Sequence, residues 1–142
     1  MTNTRIISEY EQQALDFLEK VNATMKITYI ETCKNNMWGD DRLWRRHRVT
    51  ITRNHKRWTF SFYDSIVRKE SPTPYDVLAC IEKYDPGVNI EDFAREYGYD
   101  YEPWEDEQEA RRIERIYNAC LKEYENCCRI FGDALDELRE IN

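Results

Sequence analysis

Apolar and polar positions change period along this chain, and each change marks an element. From Ser8 to Val21 the apolar residues Ala14, Leu15, Phe17, Leu18 and Val21 recur at helical spacing. Ser8 with Glu11 three residues on makes a capping box at the helix start, and Asn22 is a suitable stop. The period then shortens to two. Lys26 to Cys33 reads as a strand through Ile27, Tyr29 and Ile30, and Asn35, Asn36, Gly39, Asp40 and Asp41 are loop chemistry. In Arg46–Arg53, Val49 and Ile51 alternate with Arg48, Thr50 and Thr52. In Arg57–Asp64, Trp58, Phe60 and Phe62 alternate with Arg57, Thr59, Ser61 and Tyr63. Period two implies one buried and one wet face. Asn54–His55 is a tight hairpin connection between these two strands, so the three strands form an antiparallel meander.

Beyond a linker from Arg68 to Thr73 the period returns to helical. Thr73 is placed to cap a helix whose first residue is Pro74, where a missing N–H costs nothing. Tyr75, Val77, Leu78, Ile81 and Tyr84 follow, and Asp85-Pro86-Gly87 ends it. Asn89 caps a short helix through Tyr97, which Gly98 closes. A long helix is predicted from about Glu105 to Phe131, with Ile113, Ile116, Tyr117, Cys120, Tyr124, Cys127 and Phe131 along one face. Gly132 breaks it and Asp133 caps a last piece carrying Leu135, Leu138 and Ile141. The fold class is therefore α+β in one domain over 1–142: an N-terminal helix, a three-stranded antiparallel meander, then a helical region with one long helix. The sheet is expected to be covered on one face.

Composition sharpens this picture at one point. Net charge is −7, but residues 1–70 hold 13 basic and 9 acidic side chains, net +4, while 71–142 hold 8 basic and 19 acidic, net −11. A basic sheet half and an acidic helical half give a polar molecule whose field steers partners. Met1–Ser8 lacks the apolar run of a signal peptide, and no stretch approaches the ~20 apolar residues of a membrane span. A cytoplasmic protein with no membrane contact is expected. In that compartment Cys33, Cys80, Cys120, Cys127 and Cys128 are reduced thiols, with Cys33, Cys120 and Cys127 read as small core residues.

No catalytic constellation stands out. His47 points with Val49 and Ile51 and is expected to be buried; His55 sits at the hairpin tip. The cysteines and histidines lack zinc-ligand spacing, and no glycine-rich phosphate loop occurs. The expectation is a non-enzyme with no metal and no cofactor. Two charged constellations remain. The acidic one spans Tyr99 to Glu109: Asp100, Glu102, Glu105, Asp106, Glu107 and Glu109, with Tyr99, Tyr101 and Trp104 among them and no basic residue between Arg95 and Arg111. The helix dipole explains the carboxylates of a first turn, Glu105 to Glu107, but not Asp100, Glu102 or the aromatics before Pro103. Carboxylates around aromatic anchors suit docking into a basic groove, and Asp100, Tyr101, Glu102, Trp104, Glu105, Asp106, Glu107 and Glu109 form the predicted partner-binding set. The basic constellation is Arg42, Arg45, Arg46, Arg48, Arg53, Lys56 and Arg57, with Trp44 and Trp58 interleaved and no acid over 42–57. It reads either as a solvated sheet face whose arginines pair with the acidic helices, or as a nucleic-acid-binding hairpin using Arg45, Arg46, Arg48, Arg53, Lys56 and Arg57.

The run Tyr75-Asp76-Val77-Leu78-Ala79-Cys80-Ile81-Glu82-Lys83-Tyr84-Asp85-Pro86-Gly87, then Glu91-Asp92-Phe93 and Tyr97-Gly98-Tyr99-Asp100, carries a resemblance. With Ile116-Tyr117 and the ending Asp136-Glu137-Leu138-Arg139-Glu140-Ile141, it resembles a widespread group of small uncharacterised proteins of bacteriophages and other mobile elements. Such proteins often counter host defences. Acidic ones that occupy a nucleic-acid site on a host nuclease complex resemble this chain in charge. The resemblance implies an anti-CRISPR-like inhibitor whose partner is a host protein or ribonucleoprotein complex, a defence nuclease, in the host cytoplasm. Helix, three strands and helix also resembles the double-stranded RNA-binding domain. Residues 73–80 hold no Lys or Arg, so the basic helix start of that family is missing.

Overall fold

Helix, meander and helices follow one another as predicted in the computed structural model, which describes residues 7–34, 43–66, 70–81 and 87–141. The elements are α1 (Glu9–Lys20), β1 (Ala23–Lys34), β2 (Leu43–Arg53), β3 (Lys56–Ser65), α2 (Pro74–Ile81), α3 (Ile90–Glu96), α4 (Glu107–Phe131) and α5 (Leu135–Arg139). The loop predicted through Asn35 to Asp41, Arg68 of the linker, and Tyr84 to Pro86 at the end of α2 lie outside the described residues.

Local chemistry explains the boundaries. Ser8 Oγ accepts from the Glu11 N–H at 3.2 Å, and Asn22 leaves α1 at φ +58. Thr73 and Asp76 cap α2 reciprocally: Asp76 Oδ2 accepts from the Thr73 N–H at 2.7 Å and Thr73 Oγ1 accepts from the Asp76 N–H at 3.4 Å. Asn89 caps α3, whose exit passes through Gly98 at φ +82, a conformation glycine adopts without strain. Asn54 and His55 both take positive φ, 52 and 63, the pairing that matches the twist of a two-residue hairpin.

The sheet is antiparallel in the order β1-β2-β3. Its cross-strand rows include Ile27–Val49–Phe60 and Met25–Ile51–Trp58. Val49, Ile51, Trp58, Phe60 and Phe62 are buried on one face, as alternation requires. Against them α1 lays Ala14, Phe17 and Leu18, and α2 lays Val77, Leu78 and Ile81. The end of α4 adds Cys127, Ile130 and Phe131, and α5 adds Leu138. Each Val, Leu, Ile or Phe side chain among them contributes about 1.5–3 kcal/mol by leaving water.

A second apolar group stands outside this core. Phe93 and Ala94 of α3 are buried with Ala110, Ile113 and Ile116 of α4, bordered by Tyr97 and Tyr117. Between the two groups, residues 117–126 of α4 bury no side chain. Ten helical residues span about 15 Å. The N-terminal half of α4, with α3 and the acidic segment, is thus an arm on a helix rooted in the sheet core.

Several expectations are corrected. The long helix starts at Glu107, so Glu105 precedes it and Asp106 is its N-cap. Gly132 stays right-handed and continues as a 3-10 turn over Gly132–Ala134, so the N-cap of α5 is Ala134, which has no side-chain acceptor, and Asp133 binds Arg53 instead. Cys127 is buried, but Cys33 and Cys120 are only half-buried. A bulge between Tyr29 and Glu31 shifts the register of β1, and Tyr29 is 54% exposed.

Candidate functional site

The acidic segment is held in place by a few specific contacts. The Glu105 and Asp106 N–H groups both donate to the Glu102 carbonyl, at 2.9 and 3.0 Å, which closes a tight turn around Trp104. Asp106 then caps α4 by accepting from the Glu109 N–H at 3.1 Å. The Tyr101 hydroxyl donates to the Glu114 carboxylate, and that bond raises the phenol's pKa above its ordinary value. The Arg112 guanidinium lies over the Tyr99 ring, 5.2 Å from its centre. Arg112 and Arg115 also line a shallow depression with Asp106, Gln108 and Glu109.

This frame divides the eight predicted partner-binding residues. Asp100, Glu102, Trp104, Glu105, Asp106 and Glu107 are exposed, Trp104 at 78%, the highest value of any large apolar side chain among the described residues. Tyr101 and Glu109 are half-buried. Tyr101 fixes the segment through Glu114, and Glu109 lies 3.9 Å from Arg112. Glu107 is paired with Arg111 at 2.6 Å in solvent, a contact worth little in water. Glu114 and Arg112 were invisible as site residues in the sequence, because their partners lie 13 residues away in a non-helical stretch.

The basic hairpin does not act as one surface. Alternation along β2 sends Arg45 and Arg53 to the helix-covered face. There Arg45 Nη2 meets Asp64 Oδ2 at 2.6 Å. Arg53 is almost fully buried and donates to the Val21 and Ile130 carbonyls, both at 2.9 Å, and to both Asp133 oxygens at 2.6 and 3.0 Å. The fork holds the Asp133 carboxyl below its ordinary pKa and raises that of Arg53. Lys56 Nζ reaches the Arg129 carbonyl at 3.4 Å. Arg45 and Arg53 are therefore neutralised inside the fold, whereas Lys56 is exposed and turned toward α4. Arg46, Arg48 and Arg57 stay on the open face, and Arg46 pairs with Glu31 at 3.1 Å. Arg42 lies outside the described residues.

His47 is buried as predicted, edge-on to Tyr29, and burial lowers its pKa. His55 is exposed at the hairpin tip. Among the described residues no group of three or more His, Cys, Asp and Glu side chains is arranged to hold a metal ion. Burial raises the Cys120 thiol above its ordinary value, which lowers its thiolate fraction and its reactivity. No helix among the described residues is long and apolar enough to cross a membrane. No protein-family model, curated protein or solved structure matches the chain.

Proposed function

We propose that this chain is a non-enzymatic binding protein that docks a basic groove of a host protein or ribonucleoprotein complex through the segment Asp100–Glu109, and so keeps nucleic acid out of that groove. The observation that carries the reading is Trp104, 78% exposed in the Glu102–Asp106 turn, with the exposed carboxylates of Asp100, Glu102, Glu105 and Asp106 close to it in sequence. A large aromatic side chain held in water by a hydrogen-bonded turn loses about 2 kcal/mol or more of binding when truncated at the centre of an interface. The surrounding carboxylates steer encounter with a basic surface. The contacts of Tyr101 with Glu114 and of Arg112 with Tyr99 limit the ordering cost on binding.

In its specific form the partner is a defence nuclease complex, and the chain is an anti-CRISPR-like accessory protein of a phage or mobile element acting in the host cytoplasm. The resemblance of the Tyr75–Asp100 stretch to mobile-element proteins and the sign of the acidic arm favour this form. The test is plasmid interference in bacterial strains that each carry one defined CRISPR nuclease system. Expression of the chain should restore transformation in at least one strain by tenfold or more, and the Trp104→Ala variant should not. Restoration by both proteins alike would remove the arm from the mechanism.

A further inference from the structure

The sheet face turned away from the core carries charge of the opposite sign to the arm. It carries the β2 residues Trp44, Arg46, Arg48, Thr50 and Thr52, which alternate with the residues turned to the core. Its rows run Thr28–Arg48–Ser61, Lys26–Thr50–Thr59 and Thr24–Thr52–Arg57. Next to them lies Glu31–Arg46–Tyr63, and beyond it Cys33–Trp44–Ser65. Among the described residues no helix packs on this face: α1, α2, α4 and α5 all contribute to the core on the other side. No aliphatic side chain belongs to these rows.

Charge is distributed over the two faces in a telling way. On the covered side each arginine of β2 has a carboxylate, Asp64 for Arg45 and Asp133 for Arg53. On the open side, Lys26, Arg48 and Arg57 are exposed and none has a carboxylate partner among the described residues. Glu31 is the one acid in these rows, and it is taken by Arg46. Among the described residues, three cations on this hydroxyl-lined surface are thus left without a carboxylate. That surface complements a polyanion.

We propose that the open sheet face binds single-stranded nucleic acid, with phosphates on Lys26, Arg48 and Arg57 and bases against Tyr63 and Trp44. Three observations select the single strand. Tyr63 and Trp44 lie in adjacent rows at one end of the face, half-buried and so fixed as platforms. The threonine and serine hydroxyls, such as the Thr50–Thr59 pair at 3.2 Å, offer hydrogen bonds to base edges and sugars. A duplex keeps its base faces stacked on one another, so only a single strand can lay its bases on these two rings. Rows repeat every ~6.8 Å along a strand, twice the rise per residue, so the face accommodates about four nucleotides. The inference is independent of the docking role of the arm, because the two surfaces share no residue.

The experiment is fluorescence anisotropy of the full chain with a labelled 12-nucleotide oligothymidylate and with a 12-base-pair duplex. Three neutralised phosphates imply a salt slope of about −2, so binding to the single strand should weaken roughly 15- to 20-fold between 50 and 200 mM salt. Arg48→Glu with Arg57→Glu, both at exposed positions, should weaken it at least tenfold with an unchanged melting temperature. Tyr63→Ala should weaken it about fivefold or more and leave the salt slope as it was. No binding to the single strand at 50 mM salt would overturn the proposal. Equal binding of the duplex, or of the double-arginine variant, would do so as well.

Discussion

The sheet core and the arm solve the same problem in different ways. On the core side a sheet and four helical pieces share one apolar cluster, and the charged residues that enter it, Arg45 and Arg53, are matched by acids. On the arm side α3 and the start of α4 bury a handful of residues around Phe93 and Ile113, and tyrosines at the rim do the fixing: Tyr117 donates to the Val88 carbonyl at 2.8 Å and Tyr101 to Glu114. In the first region the two arginines of β2 that leave water do so against carboxylates. The other is built to leave carboxylates and a tryptophan in water. The difference separates stability from the proposed recognition, and substitutions can be chosen to touch one without the other.

The largest expected effect is in the cores. Phe60→Ala should cost about 3–5 kcal/mol and lower the unfolding midpoint of the whole chain, while Thr59→Ala, next to it on the open face, should cost well under 1 kcal/mol. Phe93→Ala should produce a different signature. Hydrogen exchange should speed up through Glu107–Ile116 while the amides of β2 keep their protection. Loss of protection in β2 to the same extent would mean that arm and core melt as one unit.

Next in size is the Arg53 clamp. Arg53→Ala removes four hydrogen bonds and strands the Val21 and Ile130 carbonyls, so a loss of about 2–4 kcal/mol is expected in urea unfolding. Asp133→Asn should cost less, since the two carbonyls still hold the guanidinium. Equal losses would assign the clamp's value to charge alone.

Much of this contrast is readable in the sequence. Strict alternation at Val49, Ile51, Trp58, Phe60 and Phe62 predicts the covered face, because a one-residue slip would bury Arg48 and Thr59 instead. Ser8, Thr73, Asn89 and Gly98 announce helix ends through local hydrogen-bond chemistry. What is not legible is any feature made by two distant segments. Arg53 and Asp133 are 80 residues apart, and neither has a local cue for the other. For that reason Asp133 reads as a helix cap and Arg53 as part of a basic ribbon. Lys26 joins the open face only through the register of β1, which sets it beside Thr50. The acidic segment is plain as composition, while its fixing by Glu114 and Arg112 depends on tertiary packing.

A smaller effect concerns pH and belongs to the core. Burial lowers the pKa of His47 in the folded state below its ordinary 6.5. Between those two values the unfolded chain binds more protons, so this group's contribution to stability is complete above pH 6.5 and is lost as pH falls through the folded value. Asp133, held low by Arg53, acts in the same direction in a more acidic window, below its ordinary 3.8. Urea unfolding at pH 7.5 and 5.5 should show a loss that His47→Gln reduces; an identical loss in the variant would exclude His47 as its source.

The smallest effects on stability should come from the arm's exposed carboxylates. Glu102→Lys and Glu105→Lys should each cost within about 0.5 kcal/mol. Asp106→Lys should cost about 1 kcal/mol, because it removes the N-cap of α4 and places a cation at the helix start. Thermal melts of the three variants would test the ranking, and an Asp106 variant as stable as the others would mean that the cap contributes nothing.

That ranking makes possible a variant that alters the arm while sparing its cap: Glu102→Lys, Trp104→Ala and Glu105→Lys together. In a strain whose CRISPR interference the wild-type chain suppresses, this triple variant should fail to restore plasmid transformation while melting within a few degrees of wild type. Suppression at the wild-type level by the well-folded triple variant would contradict docking through the acidic arm.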